Sequence, residues 1–222
     1  MIKFSDFRKA LGLTLVVTLA VSGFFVLVEP SMTNAATTAS VVVTLSVTAG
    51  VAVTVDSATS AMSTAITVSQ NTAVATSTFT VTTNDYLGYN LNLTASSSAP
   101  AMQSANSTIP DVTVTPTVYP TVIPSNSYGF GFSAYSTTNP TDVPVATWGT
   151  QTTGCANGAN TPSAGLKYRG FNSGTPILVA SNTSTTTTAG DATVVCFMVG
   201  QNGSYIPSGS YTATITATAS LK

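Results

Sequence analysis

The sequence predicts an all-β protein, an antiparallel β-sandwich of immunoglobulin-like or Greek-key type, behind an N-terminal signal or anchor helix. Three observations carry this. Short runs that alternate apolar residues with Ser, Thr or Asn recur along the chain. Gly, Pro and Asn punctuate them at close spacing. After residue 36 no stretch shows a helical repeat of apolar positions.

The first 36 residues read as a leader. Lys3, Arg8 and Lys9 precede an uncharged, mainly apolar run over 10–28, which Glu29-Pro30 ends. Thr33-Asn34-Ala35-Ala36 then supplies the small residues a signal peptidase needs, so cleavage is expected after Ala35 or Ala36. The same run is long enough to span a bilayer, so the alternative is an uncleaved anchor, the one membrane contact expected. A pilin-type leader fits less well, because Pro30 ends the segment and no long amphipathic helix follows. Either way residues 37–222 are expected outside the cytoplasm, as a single domain.

Next comes Ser40-Val41-Val42-Val43-Thr44-Leu45-Ser46-Val47-Thr48, strongly β-forming, then a bend at Ala49-Gly50 and a strand over 51–55. Val41, Val43, Leu45 and Val47 share one face. They make this segment a candidate donor strand for a neighbour's sheet edge, against the alternative that it pairs within its own domain. A short strand is expected over 64–68.

Residues 76–98 read as one β-hairpin. Phe79, Val81, Tyr89, Leu91 and Leu93 fall on one face, Thr78, Thr80, Thr82, Asn90, Asn92 and Thr94 on the other, with Asn84-Asp85-Tyr86-Leu87-Gly88 as the turn. From 99 to 144 the chain turns proline-rich, and Pro116, Pro120 and Pro124 recur every fourth residue. That excludes regular helix and predicts edge strands and extended loops. The aromatic strand over 128–135 follows, with glycines that let another backbone or a ligand approach closely. Its Tyr128, Phe130 and Phe132, with Trp148, are either core rings or a ligand-binding aromatic platform.

Cys155 sits in a turn-rich loop and Cys196 in an apolar run. In an exported chain the pair predicts one disulfide tying a loop to a core strand. Lys167 and Arg169 are expected on a solvated strand face, 177–180 in a buried strand, and 181–190 in a hydroxyl-rich tip, bare or O-glycosylated. Strands over 191–199 and 211–219 close the chain.

Thr82-Thr83-Asn84-Asp85-Tyr86-Leu87-Gly88-Tyr89 and the closing stretch over 206–219 resemble pieces of WxL-type cell-wall-binding proteins, and more broadly of fimbrial and spore-coat-type subunits. Trp148 is followed by Gly149-Thr150, whereas the family is named for Trp-x-Leu. The resemblance therefore implies a β-sandwich fold and a surface location, and no binding residues.

Composition narrows the function. Charged residues are 6% of the chain, against about 25% in an average soluble domain. Ser and Thr make up roughly a third, so polarity is carried by hydroxyls. A net charge of −1 without a basic stripe argues against nucleic acid. The chain has no histidine, which removes Ser-His-Asp and Cys-His catalysis and His-based metal sites. Asp56, Asp85, Asp111, Asp142 and Asp191 are the carboxylates after the leader, and a hydrolase would need two of them to converge in a cleft. No catalytic residue, metal ligand or cofactor site is expected. The sequons at Asn92, Asn106, Asn182 and Asn202 are candidate glycosylation sites. These features predict a non-enzymatic surface protein: a fibre or coat subunit that self-assembles by strand addition, or alternatively an adhesin or module binding a cell-wall or glycan partner.

Overall fold

The structure, a computed structural model, describes residues 44–95, 100–150, 154–171 and 174–222. The chain divides into two compact units, Met1–Ser46 and Val47–Lys222. Residues 44–46, the described part of the first, have no regular structure. The predicted leader, its apolar run over 10–28, and Val41 and Val43 lie outside the described residues.

The second unit is built from strands. In chain order they are β1 (Val51–Val55), β2 (Thr72–Thr83), β3 (Tyr89–Ala95), β4 (Met102–Gln103), β5 (Thr108–Ile109), β6 (Thr117–Val118) and β7 (Ser127–Ser136). After them come β8 (Ala156–Asn157), β9 (Thr161–Pro162), β10 (Lys167–Tyr168), β11 (Ile177–Asn182), β12 (Asp191–Asn202) and β13 (Ile215–Leu221). The described helical content is a 3-10 turn at Pro140–Asp142 and one α-turn at Val145–Trp148. Four strands form one antiparallel sheet in the order β1-β2-β12-β7, and three form another in the order β11-β3-β13. Two-stranded ribbons complete the set; the proline-rich stretch contributes β4 and β5, which pair with each other, and β6, which pairs with β10.

The expected 76–98 hairpin is not one. β2 pairs with β1 and β12, while β3 pairs with β11 and β13, so the 84–88 turn carries the chain from one sheet to the other. Alternation had the faces right: Phe79, Val81, Tyr89, Leu91 and Leu93 are all buried in one core cluster. It had the pairing wrong, because a period of two says which side of a strand is buried and nothing about which edge it joins. The 183–190 stretch makes a second such crossing, from β11 to β12. The two crossings are tied together: the Thr186 N–H donates to the Thr83 carbonyl at 3.1 Å and the Thr83 N–H to Thr186 Oγ1 at 3.0 Å.

The four-stranded sheet is covered on both faces. One face meets the three-stranded sheet's core residues through Phe79, Phe130, Phe132, Val195 and Phe197. The other carries a second cluster, in which Val194, Cys196 and Met198 pack with Val112, Val122, Ile123, Leu166 and Tyr168. That is why nine consecutive residues of β12, from 193 to 201, are buried, as a central strand covered on both sides requires. Gly129 and Gly131 make this covering possible: a Cβ on either would meet the Val112 side chain at 2.6 Å. Backbone does approach there, with the Phe130 N–H on the Pro110 carbonyl at 2.9 Å and the Phe132 N–H on the Arg169 carbonyl at 2.8 Å.

Residues 64–68, expected as a strand, form none; Ile66 instead packs on the core cluster from a loop that the Thr67 hydroxyl turns. Lys167 and Arg169 do not sit on an open face. The Lys167 ammonium donates to the Ala146 carbonyl at 2.7 Å, and Arg169 Nε is buried without a hydrogen-bond partner. Burial pulls the Arg169 pKa down.

Candidate functional site

Residues 44–50 form no strand. β-propensity alone does not make one; a strand needs a ladder of backbone partners, and irregular chain runs here up to Gly50, whose carbonyl accepts from the Asn84 N–H at 3.4 Å. Leu45 and Val47, two of the candidate donor positions, are 86% and 71% exposed. Other large apolar side chains are exposed too, Val68 and Tyr86 among them, but Leu45 is the barest of those described and shares one face of the segment with Val47. Behind them the chain is held firmly: Asn84 Nδ2 donates to the Thr48 carbonyl at 2.9 Å, and the Gly50 N–H donates to Asn84 Oδ1 at 2.7 Å. One side-chain amide thus fixes the backbone on both sides of Ala49, at the Thr83 end of β1.

A groove of about 610 Å³ opens at the other end of β1. Its walls are the loop after Val55, including Ala61 and Met62, and the stretch from Tyr211 to Ile215. Phe79, Phe130 and Phe197 form its floor, so the groove reaches the core rings. No charged side chain lines it. Beside it, β13 ends the three-stranded sheet and pairs only with β3.

The aromatic candidates are core rings. Phe130, Phe132 and Trp148 are 1%, 0% and 1% exposed, and Tyr128 packs against the same cluster. The Phe132 ring centroid lies 4.3 Å from that of Phe171 and 5.3 Å from that of Trp148, each pair offset or tilted as aromatic contacts prefer. A sugar-stacking platform needs an open row of ring faces; Phe130, Phe132 and Trp148 present none to solvent, and Tyr128 alone is half-buried.

The expected disulfide is there. Cys155 and Cys196 are bonded, with Cα atoms 5.2 Å apart, and both are buried. Cys196 belongs to β12, and the Tyr168 hydroxyl donates to the Cys155 carbonyl at 3.1 Å, so the bridge pins the 154–171 loop over the second core. A structural disulfide of this kind belongs to a non-reducing compartment. Among the described residues, no helix is long and apolar enough to cross a membrane.

Two of the five aspartates come together, which nothing in their spacing announced. Asp142, in the 3-10 turn, and Asp191, at the start of β12, stand near the Tyr89 phenol. Each carboxylate is held by an asparagine: Asn139 Nδ2 donates to Asp142 Oδ1 at 2.8 Å and Asn182 Nδ2 to Asp191 Oδ2 at 2.6 Å. Burial first, and the Asp191 charge second, raise the Asp142 pKa to about 6. The same two causes, burial and the neighbouring Asp142 charge, push the Tyr89 phenol above its ordinary range. Asp142 is 3% exposed, so a glycosidic bond has no access to the pair as it stands.

The sequons differ in access. Asn106 is exposed in the turn between β4 and β5. Asn202 is exposed, with its amide donating to the Ile123 carbonyl at 3.1 Å. Asn92 is half-buried on β3, the central strand of its sheet. Asn182 is buried, and both ends of its amide are engaged, with Asp191 and with Ser184. A glycan on Asn182 would have to break that arrangement.

No protein-family model, curated protein or solved structure matches this chain.

Proposed function

We propose that this chain is a non-enzymatic structural protein of the cell exterior, a self-assembling subunit of a surface fibre or coat, folded as a β-sandwich. The observation that carries the reading is the bare apolar segment ahead of β1, where Leu45 and Val47 stand in solvent on a chain of very low charge. An exposed extended segment of this kind gains by adding to a sheet edge in another molecule. Two sheets contributing to one core support the sandwich, and the buried disulfide suits an oxidising exterior. A binding-module reading loses its support with the aromatic rings buried.

The test is assembly itself. The chain, expressed with its leader and recovered outside the cytoplasm, is followed by light scattering during size exclusion and by negative-stain microscopy. Ladders or filaments that grow with concentration are expected. A monomer at every concentration overturns the reading.

A further inference from the structure

We propose that the groove between the 57–62 loop and the 211–215 stretch is the acceptor site for residues 41–47 of a second copy, a proposal that rests on the self-assembling-subunit reading above.

The groove has the features an incoming strand needs. Its floor is Phe79, Phe130 and Phe197, rings already part of the core, so an apolar side chain entering there extends the core rather than covering surface. Beside it β13 ends its sheet and comes close to β1, the end strand of the other sheet, and a sheet-end strand keeps backbone N–H and C=O groups that its one ladder partner does not use. Strand addition uses both: main-chain pairing along the edge, and pockets for alternate side chains.

The occupant is identified by matching chemistry. Residues 40–48 contain no charged side chain, and none lines the groove. Val41, Val43, Leu45 and Val47 alternate with Val42, Thr44 and Ser46, so one face of an extended segment is wholly aliphatic. Of that face, Leu45 and Val47 are described and are exposed. The segment's root also matters. Asn84 fixes Thr48 and Gly50 at the Thr83 end of β1, whereas the groove lies at the Val55 end, about 13 Å further along the strand. A root held at one end of the unit and an acceptor at the other give a head-to-tail contact, which does not close on itself and so propagates as a fibre.

The receptor for the test is the full chain carrying Leu45→Asp and Val47→Asp, which has an intact groove and no apolar donor. The probe is a synthetic peptide of residues 40–48, lysine-tagged for solubility, with binding read by fluorescence anisotropy. Saturable binding is expected, with a loss of at least roughly tenfold in affinity for a peptide carrying Leu45→Asp, since the aspartate would be buried without a partner. Adding Ala61→Arg to the receptor should abolish binding. Ala61 is exposed on the groove wall, so that variant should melt like its parent; Ala58→Arg, exposed on the same wall, replaces it if it does not. In mixtures, a full chain with Ala61→Arg alone and the donor-dead chain should form a capped one-to-one dimer, while each alone stays monomeric. Assembly of the native chain that survives Ala61→Arg, with no peptide binding, overturns the groove and leaves the subunit reading standing. A monomeric native chain whose donor-dead form binds the peptide, and loses it with Ala61→Arg, keeps the groove and overturns the subunit reading.

Discussion

The carboxyl of Asp142 stands close to that of Asp191, and burial together with that second negative charge holds it at a pKa of about 6. An aspartate in an unfolded chain titrates near ~3.9. The folded state therefore binds this proton more tightly than the unfolded state. Its contribution to stability is complete below about pH 4 and is lost as pH rises through about 6, on the order of 2 kcal/mol in all. Asp142→Asn imitates the protonated carboxyl in shape. It should raise the melting temperature at pH 8 by roughly 4–8 °C and leave it unchanged at pH 4. Thermal melts of both proteins at the two pH values decide this; an equal difference at both would show that the charge is not the cause.

The Cys155–Cys196 bridge closes a loop of sequence separation 41, which in the chain-entropy picture is worth about 4 kcal/mol. The Cys155→Ala, Cys196→Ala double variant should melt roughly 10 °C below the native chain. The loss should be matched by native protein melted in reductant. A double variant that melts with the native chain would mean that Tyr168 and Leu166 hold the 154–171 loop without help.

What the sequence made legible was local. Alternation placed Phe79, Val81, Tyr89, Leu91 and Leu93 on buried faces, glycines between aromatics announced the close approach of backbone to β7, and two cysteines in a chain expected outside the cytoplasm announced their bond. What stayed hidden was pairing across distance. β2 and β3 read as a hairpin because turn residues joined two good strands, yet each found its partners elsewhere, β12 and β13 among them. The Asp142–Asp191 meeting depends on a turn and a strand start that share no motif. The groove is a gap between the 57–62 loop and the 211–215 stretch, and a gap leaves no signature in either segment. Residues 40–48 showed the opposite failure: strong β-propensity over a stretch whose described part forms no strand.

Phe130 and Trp148 offer a direct comparison of the core and platform readings. Both are about 1% exposed, so truncation leaves a cavity where a ring was. Phe130→Ala and Trp148→Ala should each cost about 3–5 kcal/mol, measured by urea unfolding. Variants that lose less than about 1 kcal/mol would contradict the packing of Phe130 on Phe171 and Phe197 and of Trp148 on Phe132.

Gly88 ends the turn that carries the chain from one sheet to the other, and it combines two separable constraints. Its φ of 84° lies in the left-handed region, and a Cβ there would collide with the carbonyl of Asn182, the residue whose amide donates to Asp191. Gly158 shares only the first constraint: φ is 77° and nothing lies within 4 Å of its Cβ position. Gly209 has no left-handed φ and meets ordinary contacts, the nearest at 3.4 Å. Alanine at 209 should therefore be nearly neutral, and alanine at 158 should cost about 1 kcal/mol from backbone strain alone. At 88 it should cost at least about 3 kcal/mol, because backbone rather than a flexible side chain must move. Urea unfolding of the three variants gives the ranking. If Gly88→Ala falls level with Gly158→Ala, strain is the whole effect and the turn does not rest on Asn182. If the expected order holds, the crossing and the 182–191 stretch are one packed unit, and the Asp142→Asn gain at pH 8 should shrink in the Gly88→Ala background.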